Sequence, residues 1–395
     1  MKLKVLTLNC WGVFTPFACM YRHERMTAIG QELSKGDYDI ILLEEIWTQS
    51  DYQKLSQYIC PALKYTHYFH CGMFGTGVCI FSKYPILETF QRTFSLNGYA
   101  HKIHHGDWFC GKGVGLAKID VEGRIINVYG THMIAEYEVE NDEYLAHRVG
   151  QAFEMSQFIK MTSVNCDAVI VGGDFNLRPI DLGYKIILSN TSLQDAWLSQ
   201  KAEKCDESGA TCDRPDNLFH CKKTFAYAPE GLRIDHLLYK GSKKCEITCD
   251  ECILTCRQVP GKPFPYSDHE GLAATFTLGP SKSGEGPKLD SGAVENHLSD
   301  AITVLDNGVN KVARDKTFFA FLSIVCLVAM VMISNITLPA PFNCITSFVH
   351  VCIAMSIAYL LWMSVIMSKW ELNGLIAVKK DVNNLLKSNP LVFER

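Results

Sequence analysis

Residues 266–272 read YSDHEGL, an acid (Asp268) directly before a histidine (His269), at the mouth of the apolar run Leu272-Ala273-Ala274-Thr275-Phe276. Such a pair is either a solvated turn or the general base of a metal-assisted hydrolase, and the two readings imply different molecules. The setting has to decide between them. Along the first 280 residues, one apolar strand after another runs out into a polar group. Asn9 ends KVLTLN, Glu44 and Glu45 end DIILLEE, His132 ends IINVYGTH, Asp174 and Asn176 end VIVGGDFN, and Asp235 sits in LRIDHLLY. Loops at strand ends are where a rigid sheet presents reactive groups. A single such residue means little, but six sites supplying only Asn, Glu, Asp and His describe a hard-metal site with acid–base partners. Carboxylate and amide oxygens suit Mg²⁺.

The segments between these ends alternate in period. RMTAIGQEL carries Met26, Ile29 and Leu33 at helical spacing, and DYQKLSQYI reads as a second helix. GTGVCIFSK reads as a strand. GVGLAKIDVEGRIINVYGTHM reads as a hairpin turning at Glu122-Gly123. LAHRVGQAFEMSQFI reads as a long helix with Leu145, Val149, Ala152, Ser156 and Ile159 on one face. Mixed strands and helices predict a layered α/β or α+β domain. Periodicity alone does not choose between a doubly wound sheet and a sandwich.

Composition changes near residue 279. GPSKSGEGPKLDSGAVEN predicts a flexible linker. A short amphipathic stretch follows (Ile302, Val304, Leu305, Val309, Val312), then two uncharged apolar runs, 317–338 and 344–367. Each exceeds the ~20 residues that cross a hydrocarbon core. Lys311, Arg314 and Lys316 precede the first, Lys369, Lys379 and Lys380 follow the second, and the loop between has no Lys or Arg. The positive-inside rule then puts both ends in the cytosol. The expected organisation is a catalytic domain over 1–279, a linker and amphipathic segment over 280–316, a transmembrane hairpin over 317–367 and a cytosolic tail over 368–395.

The 17 cysteines are scattered, and no secretory signal precedes them, which predicts reduced thiols. Cys245, Cys249, Cys252 and Cys256 lack a paired CxxC spacing and read as free thiols rather than a zinc site. A net charge of −4 gives no general basic excess for nucleic acid.

Taken in order, LNCWG, LLEEIW, THM, GGDFN, RIDH and SDHEGL resemble the motifs of the DNase I-like exonuclease–endonuclease–phosphatase superfamily, over nearly all of 1–277. NCWG, NGYAHKIHHGDWFCGKGVGL and the paired C-terminal spans are similar to the neutral sphingomyelinases within it. The resemblance implies a four-layered sandwich of two mixed β-sheets flanked by helices. It implies Mg²⁺-dependent hydrolysis of sphingomyelin to ceramide and phosphocholine, with Mn²⁺ as a substitute ion and lysophosphocholine lipids as a further substrate class. It implies Glu45, Asn9 and Asp268 on the metal side, His269 as general base with Asp235 behind it, His132 as a hydrogen-bond donor to phosphate or leaving group, and Asp174 and Asn176 positioning water and phosphate. Anionic lipid activators and residence in the endoplasmic reticulum or another membrane are further implications.

Residues 97–116 carry His101, His104 and His105 without paired metal ligands, and predict a lipid-facing loop with Tyr99 and Trp108 at headgroup level. Asp107 and Lys112 match the spacing of an Asp–Lys conformational switch in a related neutral sphingomyelinase; the alternative is a plain turn. GKGVG lacks the spacing of a phosphate-binding P-loop. A nuclease or inositol-phosphate phosphatase of the same fold would want a strongly basic cleft. A silent membrane adaptor would have no use for the full polar set.

Overall fold

The computed structural model describes residues 1–15, 19–203, 208–281, 290–336, 339 and 342–388. Two six-stranded sheets form its centre. The first has the order β11 (Cys245–Thr255), β12 (Gly271–Pro280), β1 (Lys2–Asn9), β2 (Ile40–Glu44), β4 (Cys79–Ser82), β3 (Tyr65–Tyr68). The second has the order β5 (Ile86–Thr93), β6 (Gly113–Val121), β7 (Arg124–His132), β8 (Ala168–Asp174), β10 (Asp235–Gly241), β9 (Gln194–Asp195). In each sheet the central pair is parallel, β1 with β2 and β7 with β8, and every other pairing is antiparallel. The β6–β7 hairpin turns at Glu122-Gly123, both at positive φ.

The inner faces pack together through Leu3, Val5, Leu42, Ile80, Val128, Ile170, Leu237 and Phe276. Outside the first sheet, α1 (Arg22–Leu33) and α2 (Gln49–Ile59) bury Met26, Ile29, Leu33, Leu55 and Ile59. Outside the second, α3 (Leu145–Thr162) and α4 (Leu182–Thr191) bury Met155, Ile159, Tyr184 and Ile187. These are the four layers that the motif resemblance implies.

Cys245, Cys249 and Cys252 lie along β11 in the inter-sheet core, and Cys256 lies in the α1–α2 core. A β-bulge between Cys249 and Glu251 keeps Cys252 on the inner face. All four are free thiols.

The C-terminal third differs from the sequence reading in two places. Residues 282–289 of the expected linker lie outside the described residues, but its end is ordered helix. Asp290 caps α6 (Ser291–Ser334) by accepting from the amides of Gly292 and Ala293, both at 3.1 Å. The helix continues without interruption from the amphipathic stretch into the first apolar run. The expected tail likewise folds, into α8 (Ser368–Lys387), continuous with α7 (Asn343–Trp362) through a π-helical turn at Met363–Met367; residues 389–395 lie outside the described residues. Leu298, Ala301 and Leu305 of α6 and Leu375, Val378 and Val382 of α8 pack on Ala146, Val149, Phe153 and Ile186. Gly308 permits the closest approach, since a Cβ there would sit 2.7 Å from the Ala146 methyl. Helix α3 is therefore buried on two sides, which explains why its burial is far wider than the single face read from the sequence, while Leu145 is exposed. Helix α6 and the second helical stretch are both long and apolar enough to cross a membrane.

Candidate active site

Strand register assembles the site. In the first sheet the parallel pairing sets Asn9 opposite Glu44, so Glu45 follows directly beyond the strand end. In the second, His132 is opposite Asp174, and Asp174 is opposite Asp235. The corresponding ends of the two central pairs meet, and Asn9 joins them. Its Nδ2 donates to Glu45 Oε1 at 3.2 Å and to Asp174 Oδ2 at 3.0 Å.

The choice between Glu44 and Glu45 is made by the backbone. Glu44 stays in strand register and is fully buried, accepting from Thr7 Oγ1 at 2.9 Å. Burial, reinforced by Asp235, pushes its carboxyl well above the usual range. Glu45 has φ 59°, which turns its side chain out of the strand alternation toward Asn9. The loop that carries Asn9 reaches this turn only because residue 12 is glycine. A Cβ on Gly12 would lie 2.1 Å from the Glu45 carbonyl oxygen.

His269 Nδ1 lies 2.8 Å from Asp235 Oδ2, and both side chains are almost fully buried. Burial opposes a charged imidazole, but Cys212 and Asp235 outweigh it and hold His269 well above its ordinary value. The Cys212 thiol is itself pushed up to about 12, mainly by burial, and is neutral near pH 7. Asp235 is therefore the partner that matters. The neighbours of Asp235 along the chain do not pair with it. Arg233 and His236 face Asp195 instead, at 2.7 and 3.7 Å.

On the opposite wall, Lys112 is nearly sealed from solvent. Its Nζ lies 2.9 Å from Asp107 Oδ1, 3.1 Å from His132 Nε2 and 2.9 Å from the Met133 carbonyl oxygen. Burial, then the Lys112 charge, pull His132 well below its ordinary value, so this ring is neutral and accepts from Lys112 at Nε2. Asn176 (φ 49°) donates from Nδ2 to the same Met133 oxygen at 2.9 Å, and its backbone amide donates to Asp174 Oδ1 at 2.9 Å. Asp107 accepts a second bond from Tyr137 Oη at 2.7 Å. The Asp107–Lys112 pair is thus a buried ion pair reaching into the site, not a solvated turn.

Asp174 is raised to about 7 by burial and by Asp235. Asp268, beside Ser267 Oγ at 3.1 Å, is raised to about 6 by burial, with the Glu45 charge adding to it. Glu44, Glu45, Asp107, Asp174, Asp235 and Asp268 crowd round the Lys112 ammonium and the His132 and His269 rings. A hard divalent cation is the group this donor set fits. Asp174, Asp235 and His269 bring ligand atoms within 4.8 Å of one another, close enough to hold a metal ion. However, His269 Nδ1 is already committed to Asp235, so we read that trio as an acid–base pair with a neighbour. Glu45 is the carboxylate left with weak partners: Asn9, and Trp47 Nε1 at 3.4 Å. The Asn9 amide oxygen accepts from the Trp11 amide at 2.9 Å, so Asn9 steers Glu45 through its nitrogen.

Residues 6–269 match the endonuclease/exonuclease/phosphatase family. The chain is 41% identical over 342 residues to a putative neutral sphingomyelinase of Caenorhabditis elegans, covering 83% of this chain and 78% of that one. The chain belongs to the endonuclease/exonuclease/phosphatase family, among its neutral sphingomyelinases. It is also 41% identical to sphingomyelin phosphodiesterase 2 of Mus musculus, over 77% of this chain and 72% of that protein. Among solved structures, a beta toxin mutant from Staphylococcus aureus with bound magnesium ions shares the fold. Its TM-score is 0.52 at 21% identity, over 69% of this chain and 99% of the toxin.

One residue departs from the sequence reading, and one was missed by it. Tyr99 does not face lipid. It is buried with Ile134 and Tyr144, donates to the Glu143 carbonyl oxygen at 2.8 Å, and carries the Lys311 ammonium 4.2 Å above its ring. Trp108 is partly exposed, with its ring 6.4 Å from that of Trp362 at the end of α7. The missed residue is Arg25. It is fully buried on α1, with bonds to the carbonyl oxygens of Cys10 (2.9 Å), Trp11 (2.7 Å), Met20 (3.0 Å) and Tyr266 (3.0 Å). It ties the loop after Asn9 to the loop before Asp268. Nothing in RHERM distinguishes it from the solvated charges beside it.

Proposed function

We propose that this chain hydrolyses the phosphodiester of sphingomyelin, releasing ceramide and phosphocholine, with Mg²⁺ as cofactor. The observation that carries the reading is the buried His269–Asp235 pair facing Glu45 and Asn9 across the joined sheet ends, in a chain 41% identical over the aligned residues to proteins named for that reaction.

Glu45, with Asp268 beside it and Asn9 fixing its orientation, would hold the ion. Bound there, a divalent cation supplies positive charge for the phosphoryl oxygens and the departing alkoxide. The chain's own groups do the rest. The unprotonated fraction of His269 takes a proton at Nε2 from the attacking water as its oxygen bonds to phosphorus; the raised value makes the ring a stronger base while reducing the fraction free to act near pH 7. Asp235, bonded to Nδ1, fixes the ring and stabilises the imidazolium. The bond from phosphorus to the ceramide oxygen breaks, that oxygen takes a proton from a solvent water, and the His269 imidazolium gives its proton to the hydroxide left behind, which restores the ring. The Lys112 ammonium, held beside His132 by Asp107, faces the phosphoryl charge. Asp174 and Asn176 fix the floor against which water and phosphate are placed.

The chain crosses the membrane twice, at 317–338 and 344–367, and keeps the 1–279 domain in the cytosol, on the endoplasmic reticulum or another internal membrane. Lysophosphocholine lipids fit the same headgroup chemistry, and Mn²⁺ fits the same oxygen donors. A substrate panel tests this directly. Sphingomyelin, lysophosphatidylcholine and plasmid DNA are incubated with the full chain in mixed micelles with Mg²⁺, with Mn²⁺ or with EDTA. Phosphocholine release from the lipids, stopped by EDTA, with intact DNA, supports the reading. DNA cleavage with inert lipids refutes it.

A further inference from the structure

A cavity of about 240 Å³ lies between the 94–111 segment of the domain and the helical stalk formed by α6, the π-helical turn and α8. Its walls are of three kinds. Phe319 from the start of the first apolar run, and Met363 and Met367 from the end of the second, make an apolar floor. Trp108 and Trp370, partly and largely exposed, flank it with indole rings. Asp315 and Glu371 contribute carboxylates. Among the described residues that line it there is no Lys or Arg. His101 also lines it, but burial, then Lys311, pull that imidazole down, so it adds no charge near pH 7.

A carboxylate beside open aromatic faces is the chemistry that recognises an ammonium group. One such contact already exists at the margin of the cavity, where Lys311 Nζ sits 4.2 Å over the Tyr99 ring and 2.6 Å from Asp315 Oδ2. Asp315 is thus satisfied by a lysine of its own helix, and Glu371 is the carboxylate left to face a ligand in the cavity. Glu371 is within 3.3 Å of His147 Nε2, while His147 Nδ1 accepts from the Gly98 amide at 3.1 Å. The carboxylate is thus tied through the His147 ring to the segment that leads to Asp107. The wall opposite includes Trp108, Cys110 and Gly111, directly before Lys112.

The geometry points to a second lipid site, apart from the cleavage centre, that takes the ammonium headgroup of a membrane amphiphile, with the first methylenes of its chain on Phe319, Met363 and Met367. The headgroup lies between Trp108 and Trp370 and is neutralised by Glu371. This assignment does not depend on which phosphodiester the chain cleaves.

Calorimetric titration of the full chain in maltoside micelles tests it, with nonyltrimethylammonium as probe and nonyl sulfate and free choline as comparisons. The expected result is saturable binding of the ammonium amphiphile, at least tenfold tighter than either comparison. Glu371→Gln should weaken it at least tenfold, Trp370→Ala should weaken it several-fold, and Glu45→Gln should leave it unchanged. Because Glu371→Gln can still hydrogen-bond His147, and Trp370 is largely exposed, either variant keeps the test open if the other misfolds. Equal binding of nonyl sulfate would overturn the headgroup assignment, and equal binding of choline would overturn the lipid assignment. Loss of binding in Glu45→Gln with retention in Glu371→Gln would place the probe in the cleavage centre and overturn the site itself.

Discussion

The Lys112 ammonium lies 2.9 Å from the Asp107 carboxylate and 3.1 Å from the His132 ring, with all three side chains nearly excluded from solvent. Removing one member of a buried ion pair leaves the other charge uncompensated, at a cost of about 3–5 kcal/mol. Asp107→Ala should therefore lower the melting temperature and cut turnover more than tenfold. Asp107→Leu with Lys112→Met should recover much of the stability and none of the activity. Thermal unfolding and turnover on the same preparations separate the two roles; recovery of activity in the double variant would show that Lys112 acts only structurally.

Asp235→Asn keeps the shape of the pair but removes the charge that stabilises the imidazolium and fixes the ring. Turnover should fall by about 10²–10⁴ with a small change in KM. A rise in KM with unchanged kcat would instead make Asp235 a substrate-binding group.

Arg25 spans two loops through carbonyl bonds that lysine cannot reproduce. Arg25→Lys should destabilise by about 3 kcal/mol, since the bonds to a charged donor are lost in a buried site. It should also slow turnover, because the loops bearing Asn9 and Asp268 lose their common anchor. Stability that falls while kcat stays at the wild-type value would confine Arg25 to a folding role.

Asp195 supplies a pH dependence away from the site. Burial works against its ionisation, but His236, Arg233 and Tyr184 outweigh burial and hold it well below the usual carboxylate range. A depressed native value stabilises the fold at pH above the unfolded pKa of about 3.9 and loses that contribution as pH falls toward the native value. Wild-type stability should drop more steeply than that of Asp195→Asn below about pH 4, with the two differing by a constant amount above about pH 5. Parallel curves through pH 4 would contradict the assignment.

Much of this site is readable from the chain because its residues sit at strand ends, where alternation stops and a polar group intrudes. Asn9, Glu45, His132, Asp174, Asp235 and His269 all carry that mark, and strand register does the gathering. What periodicity does not carry is which sheet each strand joins; the motif order supplied that. Arg25 is invisible because its partners are backbone carbonyls, which leave no trace in side-chain identity. Tyr99 misled because an aromatic in a polar segment reads as interfacial, whereas here Lys311, over two hundred residues away, covers its face. The ends of the expected linker and tail were lost for a related reason. Their short apolar stretches gain their helical order by packing on α3, a surface known only once the domain has folded.

The most direct test is phosphocholine release from choline-labelled sphingomyelin in mixed micelles with Mg²⁺, comparing the wild-type chain with a folded His269→Ala variant. The account expects turnover in the wild type, its abolition by EDTA, and a loss of at least about a hundredfold in the variant. Wild-type turnover by His269→Ala, with folding confirmed, would contradict it.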